Sequence, residues 1–242
     1  MDTIKINKKN VKLIAHRGVS AIEQENTIAS FLLASYKTYF GIETDVHVTK
    51  DNKFIICHDD NIKRVTGIDK IIENSTFDEL KRIRVFDKDG SYKNNLSLPS
   101  LEDYIKICAF SNKVAVLEPK NKMKESHIKD ILNIIKKYNY LNKMIFISFE
   151  IDNLIILRKL NKKIRIQYLN GIDNINKKIE TIQYAKELKI DVDVHYNNVT
   201  KDFIDECHRN NIEVNVWTVD SKEKANELIS MGVDYITSNI LE

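Results

Sequence analysis

Proline and glycine are scarce in this 242-residue chain, at two and six. That excludes a collagen-like or linker-rich architecture, and no Pro/Gly/Ser-rich stretch divides the chain into separate units. Long apolar runs are missing too. The longest, 28–34, is far short of the ~18–20 residues a bilayer-spanning helix needs. The first residues carry no apolar h-region and no small-residue cleavage site, so no secretory signal is expected. Cysteine is sparse: Cys57, Cys108 and Cys207 are scattered without metal-ligand spacing. They are expected as reduced thiols in a cytoplasmic protein. Arginine accounts for only seven of the 38 basic residues, and the lysines are spread along amphipathic stretches, so nucleic acid is not an expected partner. What is present is an ordinary globular composition. With 43% hydrophobic residues and a net charge of only +3, disorder is excluded as the main state and one large core can form.

Short β-branched runs at 12–16, 42–48, 114–118, 144–149, 164–168, 192–195, 212–217 and 234–236 read as strands. Between them lie segments with helical periodicity. In 126–137 the apolar positions Ile128, Ile131, Leu132 and Ile135 form one stripe; in 150–160 Ile151, Leu154, Ile155 and the stem of Arg158 do the same. Thr76 with Glu79, and Asp220 with Glu223, fit an N-cap followed three residues later by an acid. Eight strands alternating with helices imply parallel pairing and right-handed crossovers, and the simplest closed solution is a (β/α)8 TIM barrel spanning 1–242 as a single domain. A doubly wound open sheet shares the same periodicity. The second and third strands stand about 40 residues further apart than one βα unit requires, which places an insertion near 50–98. Within it, 54–58 follows a turn too short for a parallel crossover and reads as a hairpin strand. The last helix is curtailed, leaving residues 1–10 to cover that side of the barrel.

In such barrels the site forms at the C-terminal strand ends. Glu43 and Asp45, two apart on strand 2, share a face and point inward, and Glu118 on the next barrel strand supplies a third carboxylate. Inward acids are costly unless paired. Either a divalent cation holds them, Mg2+ or Ca2+ by the hardness of oxygen ligands, or Arg17 and Lys120 pair with them. His16 and His58 each end an apolar run; each is a hydrogen-bonded rim residue or, beside the acids, a proton-transfer group. Arg17 and Lys120 could instead grip a phosphate. Trp217 offers an apolar wall or joins the core. His47 reads as structural, His195 as a weak pocket candidate, and His127 and His208 as surface residues.

His16-Arg17-Gly18, Glu25-Asn26-Thr27, Glu43-Thr44-Asp45-Val46, Thr49-Lys50-Asp51 and His58-Asp59 closely resemble the glycerophosphodiester phosphodiesterase family. The resemblance continues in order through Leu98-Pro99-Ser100-Leu101-Glu102, Glu118-Pro119-Lys120, Ser148-Phe149, Trp217-Thr218-Val219 and Gly232-Val233-Asp234. It implies a (β/α)8 barrel with a small insertion after strand 2. It also implies a divalent cation, Mg2+ or Ca2+, on Glu43, Asp45 and Glu118. His16 and His58 would be the acid/base pair, and Arg17 and Lys120 would approach the phosphate; Trp217, by its place at a strand end rather than by the resemblance, is expected to contact substrate. The chain departs from the family at Gln24, where proline is usual, at Asp220, where asparagine is common, and at Thr237-Ser238-Asn239-Ile240, where Thr-Asp-x-Pro is usual.

The expected reaction is hydrolysis of small glycerophosphodiesters, such as glycerophosphocholine or glycerophosphoethanolamine, to sn-glycerol 3-phosphate and an alcohol. A related lipid phosphodiesterase acting on lysophospholipids would need an apolar docking surface, for which Phe77 and Phe86 are the candidates in the insertion. A catalytically silent phosphodiester-binding barrel would have lost a histidine or carboxylate, and none is lost. No stable membrane insertion is expected.

Overall fold

A computed structural model describes residues 2–242; Met1, part of the segment expected to cover the barrel, lies outside them. In chain order the strands are β1 (Lys12–Ala15), β2 (Gly41–Val48), β3 (Phe54–Ile56), β4 (Val114–Pro119), β5 (Met144–Ser148), β6 (Arg165–Asn170), β7 (Asp191–His195), β8 (Val214–Trp217) and β9 (Tyr235–Ser238). The helices are α1 (Ile28–Tyr36), α2 (Lys63–Thr66), α3 (Phe77–Lys81), α4 (Leu101–Ser111), α5 (Glu125–Lys137), α6 (Ile151–Leu160), α7 (Ile175–Leu188), α8 (Lys201–Arg209) and α9 (Lys222–Met231). β1, β2 and β4 through β9 pair in parallel around a closed ring, sealed where β1 meets both β2 and β9. This is the expected (β/α)8 barrel, and the closure excludes the open sheet. β3 pairs antiparallel with β2, as the short turn requires.

Two apolar layers hold the ring. Outward-facing Ile42, Val46, Ala115, Leu117, Phe146, Val192 and Val216 pack under the helices. Inward-facing Ile14, Val114, Val116, Ile145, Ile147, Leu169 and Tyr235 fill the interior. The insertion folds on a small core of its own, formed by Ile55, Cys57, Ile62, Val65, Ile72, Leu80, Val85 and Leu98. Phe77 packs partly buried against that core, and the Phe86 ring lies tilted against Tyr92 with centroids 4.9 Å apart. No helix among the described residues is long and apolar enough to cross a membrane.

Several local expectations change. The α5 stripe is buried as read. In α6, however, the buried positions are Asn153, Leu154 and Leu157, while Ile155 is exposed. The cause is Asn153, whose amide donates to the Asn121 carbonyl at 2.8 Å and accepts from the Met123 N–H at 2.9 Å. Satisfying the loop after β4 rotates the helix. Thr76 caps α3 with a capping box, but α9 is capped by Ser221, not Asp220. The Asp220 carboxylate is taken instead by Asn239 and Ser238. Among the described residues no helix follows β9; residues 4–6 run alongside 240–242, with Ile4 N–H donating to Ile240 O at 3.1 Å and Glu242 N–H to Ile4 O at 2.8 Å.

Candidate active site

Parallel register brings the acids together. Asp45 on β2 lies opposite Glu118 on β4, and Glu43 lies one inward position earlier. The three carboxylates, all buried, each offer one oxygen within 4.8 Å of the others. Asn26, just before α1, holds Asp45 through an N–H···O bond of 2.8 Å and is itself fixed by the Thr44 hydroxyl at 2.7 Å. The loop after β1 turns sharply through Arg17 (φ +54°) and Gly18 (φ +78°), which aims the Arg17 backbone N–H at Glu43 Oε2, 2.9 Å away.

Both basic candidates lie against the acids. Lys120 Nζ is 3.0 Å from Glu118 and 3.6 Å from Asp45, and Arg17 Nε is 3.6 Å from Asp45. Their charge falls short of the cluster's. Burial works against an ionised Asp45, but Lys120 and Arg17 outweigh it and hold its pKa down at about 2. For Glu118, burial and the nearby Asp45 prevail and push the pKa up to about 8. Burial and Asp45 likewise push Glu43 well above the ordinary carboxylate range. Two of the three acids therefore resist ionisation with the basic side chains alone. Hard oxygen donors in a cluster that lacks positive charge fit a divalent cation. Arg17 Nε remains a buried donor with no acceptor.

The two histidines face the same cleft, which Glu43, Glu118, Asp193 and Trp217 also line. His16 follows β1, and its Nε2 is 4.0 Å from Glu43. Its Nδ1 is 2.8 Å from Asn239 Oδ1. Asn239 turns its NH2 to the Asp220 carboxylate at 2.6 Å, so its oxygen faces His16 and Nδ1 is the protonated nitrogen. Burial, then the Arg17 charge, lowers the His16 pKa to about 4. His58 Nδ1 donates to Asp59 at 2.7 Å. Arg64 of α2 clasps Asp59 at 2.6 Å and Glu25 at 2.8 Å, and Glu25 also pairs with Arg17 at 2.9 Å. The insertion thus ties the loops carrying both histidines to one guanidinium.

His47 is buried and supports the His58 carbonyl at 3.3 Å, consistent with a structural part. His195 does not line the cleft; its ring stacks on Tyr196 and backs Trp217, each with centroids 5.0 Å apart. His127 and His208 lie on α5 and α8, hydrogen-bonded to Asn52 and Asp234. Three residues at the site escaped the sequence reading as individuals. Asn26 sits inside a quoted motif, Asp193 shares its strand face with His195 by the period of two, and Asn239 had no signal beyond its departure from the family ending.

The model of the glycerophosphoryl diester phosphodiesterase family matches residues 16–241. A glycerophosphodiester phosphodiesterase of Caldanaerobacter subterraneus subsp. tengcongensis is 28% identical over 232 residues, covering 94% of this chain and 93% of that protein. The crystal structure of a glycerophosphodiester phosphodiesterase from Parabacteroides distasonis is 30% identical with a TM-score of 0.77, over 95% of this chain and 93% of that one. An Oleispira antarctica phosphodiesterase, solved with the product sn-glycerol 3-phosphate, shares the fold at a TM-score of 0.86 and 22% identity, over 97% of this chain and 95% of that one. The chain belongs to the glycerophosphoryl diester phosphodiesterase family and is an enzyme of that class.

Proposed function

We propose that this enzyme hydrolyses small glycerophosphodiesters, such as glycerophosphocholine and glycerophosphoethanolamine, to sn-glycerol 3-phosphate and an alcohol. The observation that carries the reading is the convergence of three buried acids and two anchored histidines on one cleft. Glu43, Asp45 and Glu118 would hold a divalent cation, Mg2+ or Ca2+. When bound, it supplies positive charge against the phosphate oxygens and the charge that builds on them. Arg17, whose Nε–H lies 3.6 Å from Asp45 without making a hydrogen bond, and Lys120 orient the phosphate from the side of Asp45. Trp217 and the half-exposed Phe149, edge to face at 5.7 Å, form the apolar wall of the mouth.

His16, neutral and with Nε2 free, takes the proton from the attacking hydroxyl, whether of water or of the substrate itself. As the new P–O bond forms, the bond to the head-group oxygen breaks; where the substrate's own hydroxyl attacks, the product is a cyclic phosphate that water then opens to glycerol 3-phosphate. His58, held in place by the Asp59 carboxylate on its Nδ1, gives that oxygen its proton. Three buried, unpaired cysteines suit a cytoplasmic enzyme.

Turnover of glycerophosphocholine, coupled to detection of glycerol 3-phosphate, tests the substrate class. His16→Ala and His58→Ala should each lower it by ~10²–10⁴-fold with folding intact. With a 4-nitrophenyl diester, whose leaving group needs no proton, His58→Ala should recover most of its loss and His16→Ala should not. The reverse pattern would exchange the two roles, and near-wild-type rates in either variant on glycerophosphocholine would remove the acid/base reading.

A further inference from the structure

The floor of the cleft is polar where barrel interiors are ordinarily filled by branched apolar side chains. Asp193 of β7 and Thr237 of β9 line it, and the buried Gln167 of β6 and Asn215 of β8 continue the polar layer in the barrel interior. Three of them bond to one another. Asn215 donates to Gln167 Oε1 at 3.1 Å and accepts from the Thr237 hydroxyl at 3.2 Å. Asp193 is left out. It is 1% exposed, and its Oδ1 is buried with no hydrogen-bond partner. Yet Asp193 lines the cleft beside Thr237, facing Ile147, Leu169 and Trp217. A carboxyl buried without a partner is costly. Burial and the proximity of Glu118 push it well towards its neutral form. No basic side chain touches it, in contrast to Asp45 and Glu118. A ligand that brings hydroxyl hydrogens into the cleft would supply the missing bond.

We propose that Asp193 accepts a hydroxyl hydrogen from the polyol arm of the substrate and so determines specificity for a glycerol phosphate over an alkyl phosphate. The assignment rests on the phosphodiesterase reading above and extends it to one residue. Thr237 stands next to it; its hydroxyl already donates to Asn215, so its oxygen remains available as a second acceptor for a vicinal diol. The orientation of the substrate follows. The polyol arm points down to the polar floor, and the variable head group leaves past Phe149, which is 47% exposed at the mouth.

The test is calorimetric binding of sn-glycerol 3-phosphate and of n-propyl phosphate to the full chain with saturating Mg2+. The wild type should prefer the glycerol ester by roughly 10- to 100-fold. Asp193→Leu should abolish that preference by weakening the glycerol ester alone, and Asp193→Asn, which keeps an acceptor oxygen, should retain most of it. Asp193→Ala gives the same comparison if leucine disturbs the floor. An unchanged ratio, an equal loss for both ligands, or a wild type that binds neither ester or does not distinguish them overturns the proposal. Failure of the phosphodiesterase reading shows differently: the binding ratio behaves as stated, but wild-type enzyme releases no glycerol 3-phosphate from glycerophosphocholine.

Discussion

The Nδ1 of His16 and the side-chain oxygen of Asn239 stand 2.8 Å apart, and this contact decides which nitrogen of His16 faces the acids. Asn239 is itself fixed by Asp220, which accepts from its amide at 2.6 Å and from its backbone N–H at 2.8 Å. Ser20 adds a hydroxyl bond of 2.6 Å to the same Asn239 oxygen. The loops after β8 and β9 thereby orient a group at the end of β1.

Removing the acceptor should free the ring to flip or change tautomer. Asn239→Leu is expected to lower kcat by roughly 10- to 100-fold with little change in KM. The ring 15N shifts of His16 should show loss of the Nδ1–H tautomer. An unchanged kcat together with an unchanged tautomer would dismiss the positioning role.

Gly18 sets the other side of the same loop. A Cβ built there would lie 2.5 Å from Ser30 Oγ and 2.6 Å from its backbone carbon, at a φ of +78° that side chains rarely adopt. Gly18→Ala should cost about 1–3 kcal/mol of stability in a urea titration. Because Ser30 accommodates this turn and the turn holds the Arg17 N–H on Glu43, the cation affinity should fall as well. Wild-type stability in this variant would mean the loop is not held as described.

Glu118 links pH to the cation. Its pKa rises from 4.5 to about 8, so in cation-free protein its contribution to stability is complete below 4.5 and is lost as pH rises through about 8. A cation needs the ionised form and must displace the proton. Below pH 8, apparent cation affinity should therefore fall by up to ~10-fold per unit. Thermal melts should show a larger cation-induced rise in Tm at pH 8.5 than at pH 6. Equal stabilisation at both values would contradict the protonated state of Glu118.

Much of this site was legible in the sequence because it obeys short-range rules. A period of two puts Glu43 and Asp45 on one face, strand ends carry His16, His58 and Trp217, and the interval between strands 2 and 3 marks the insertion. What escaped depends on contacts between distant segments. Asn239 meets His16 across 223 positions, a pairing fixed only by closure of the barrel. Asp220 left its capping role because Asn239 and Ser238 offer it three hydrogen bonds. The face of α6 was misread because a buried polar residue, Asn153, outweighed the apolar stripe by satisfying loop carbonyls. Asp193 follows the same alternation that locates the acids, but the evident candidate on its strand is the terminal His195.

The most direct test is glycerophosphocholine turnover in EDTA, followed by addition of Mg2+ or Ca2+, with Glu43→Gln and Glu118→Gln in parallel. The three-acid account predicts no turnover in the chelator, recovery with cation in the wild type, and little recovery in the variants. Full turnover in EDTA, or equal recovery in variants lacking these carboxylates, would contradict it.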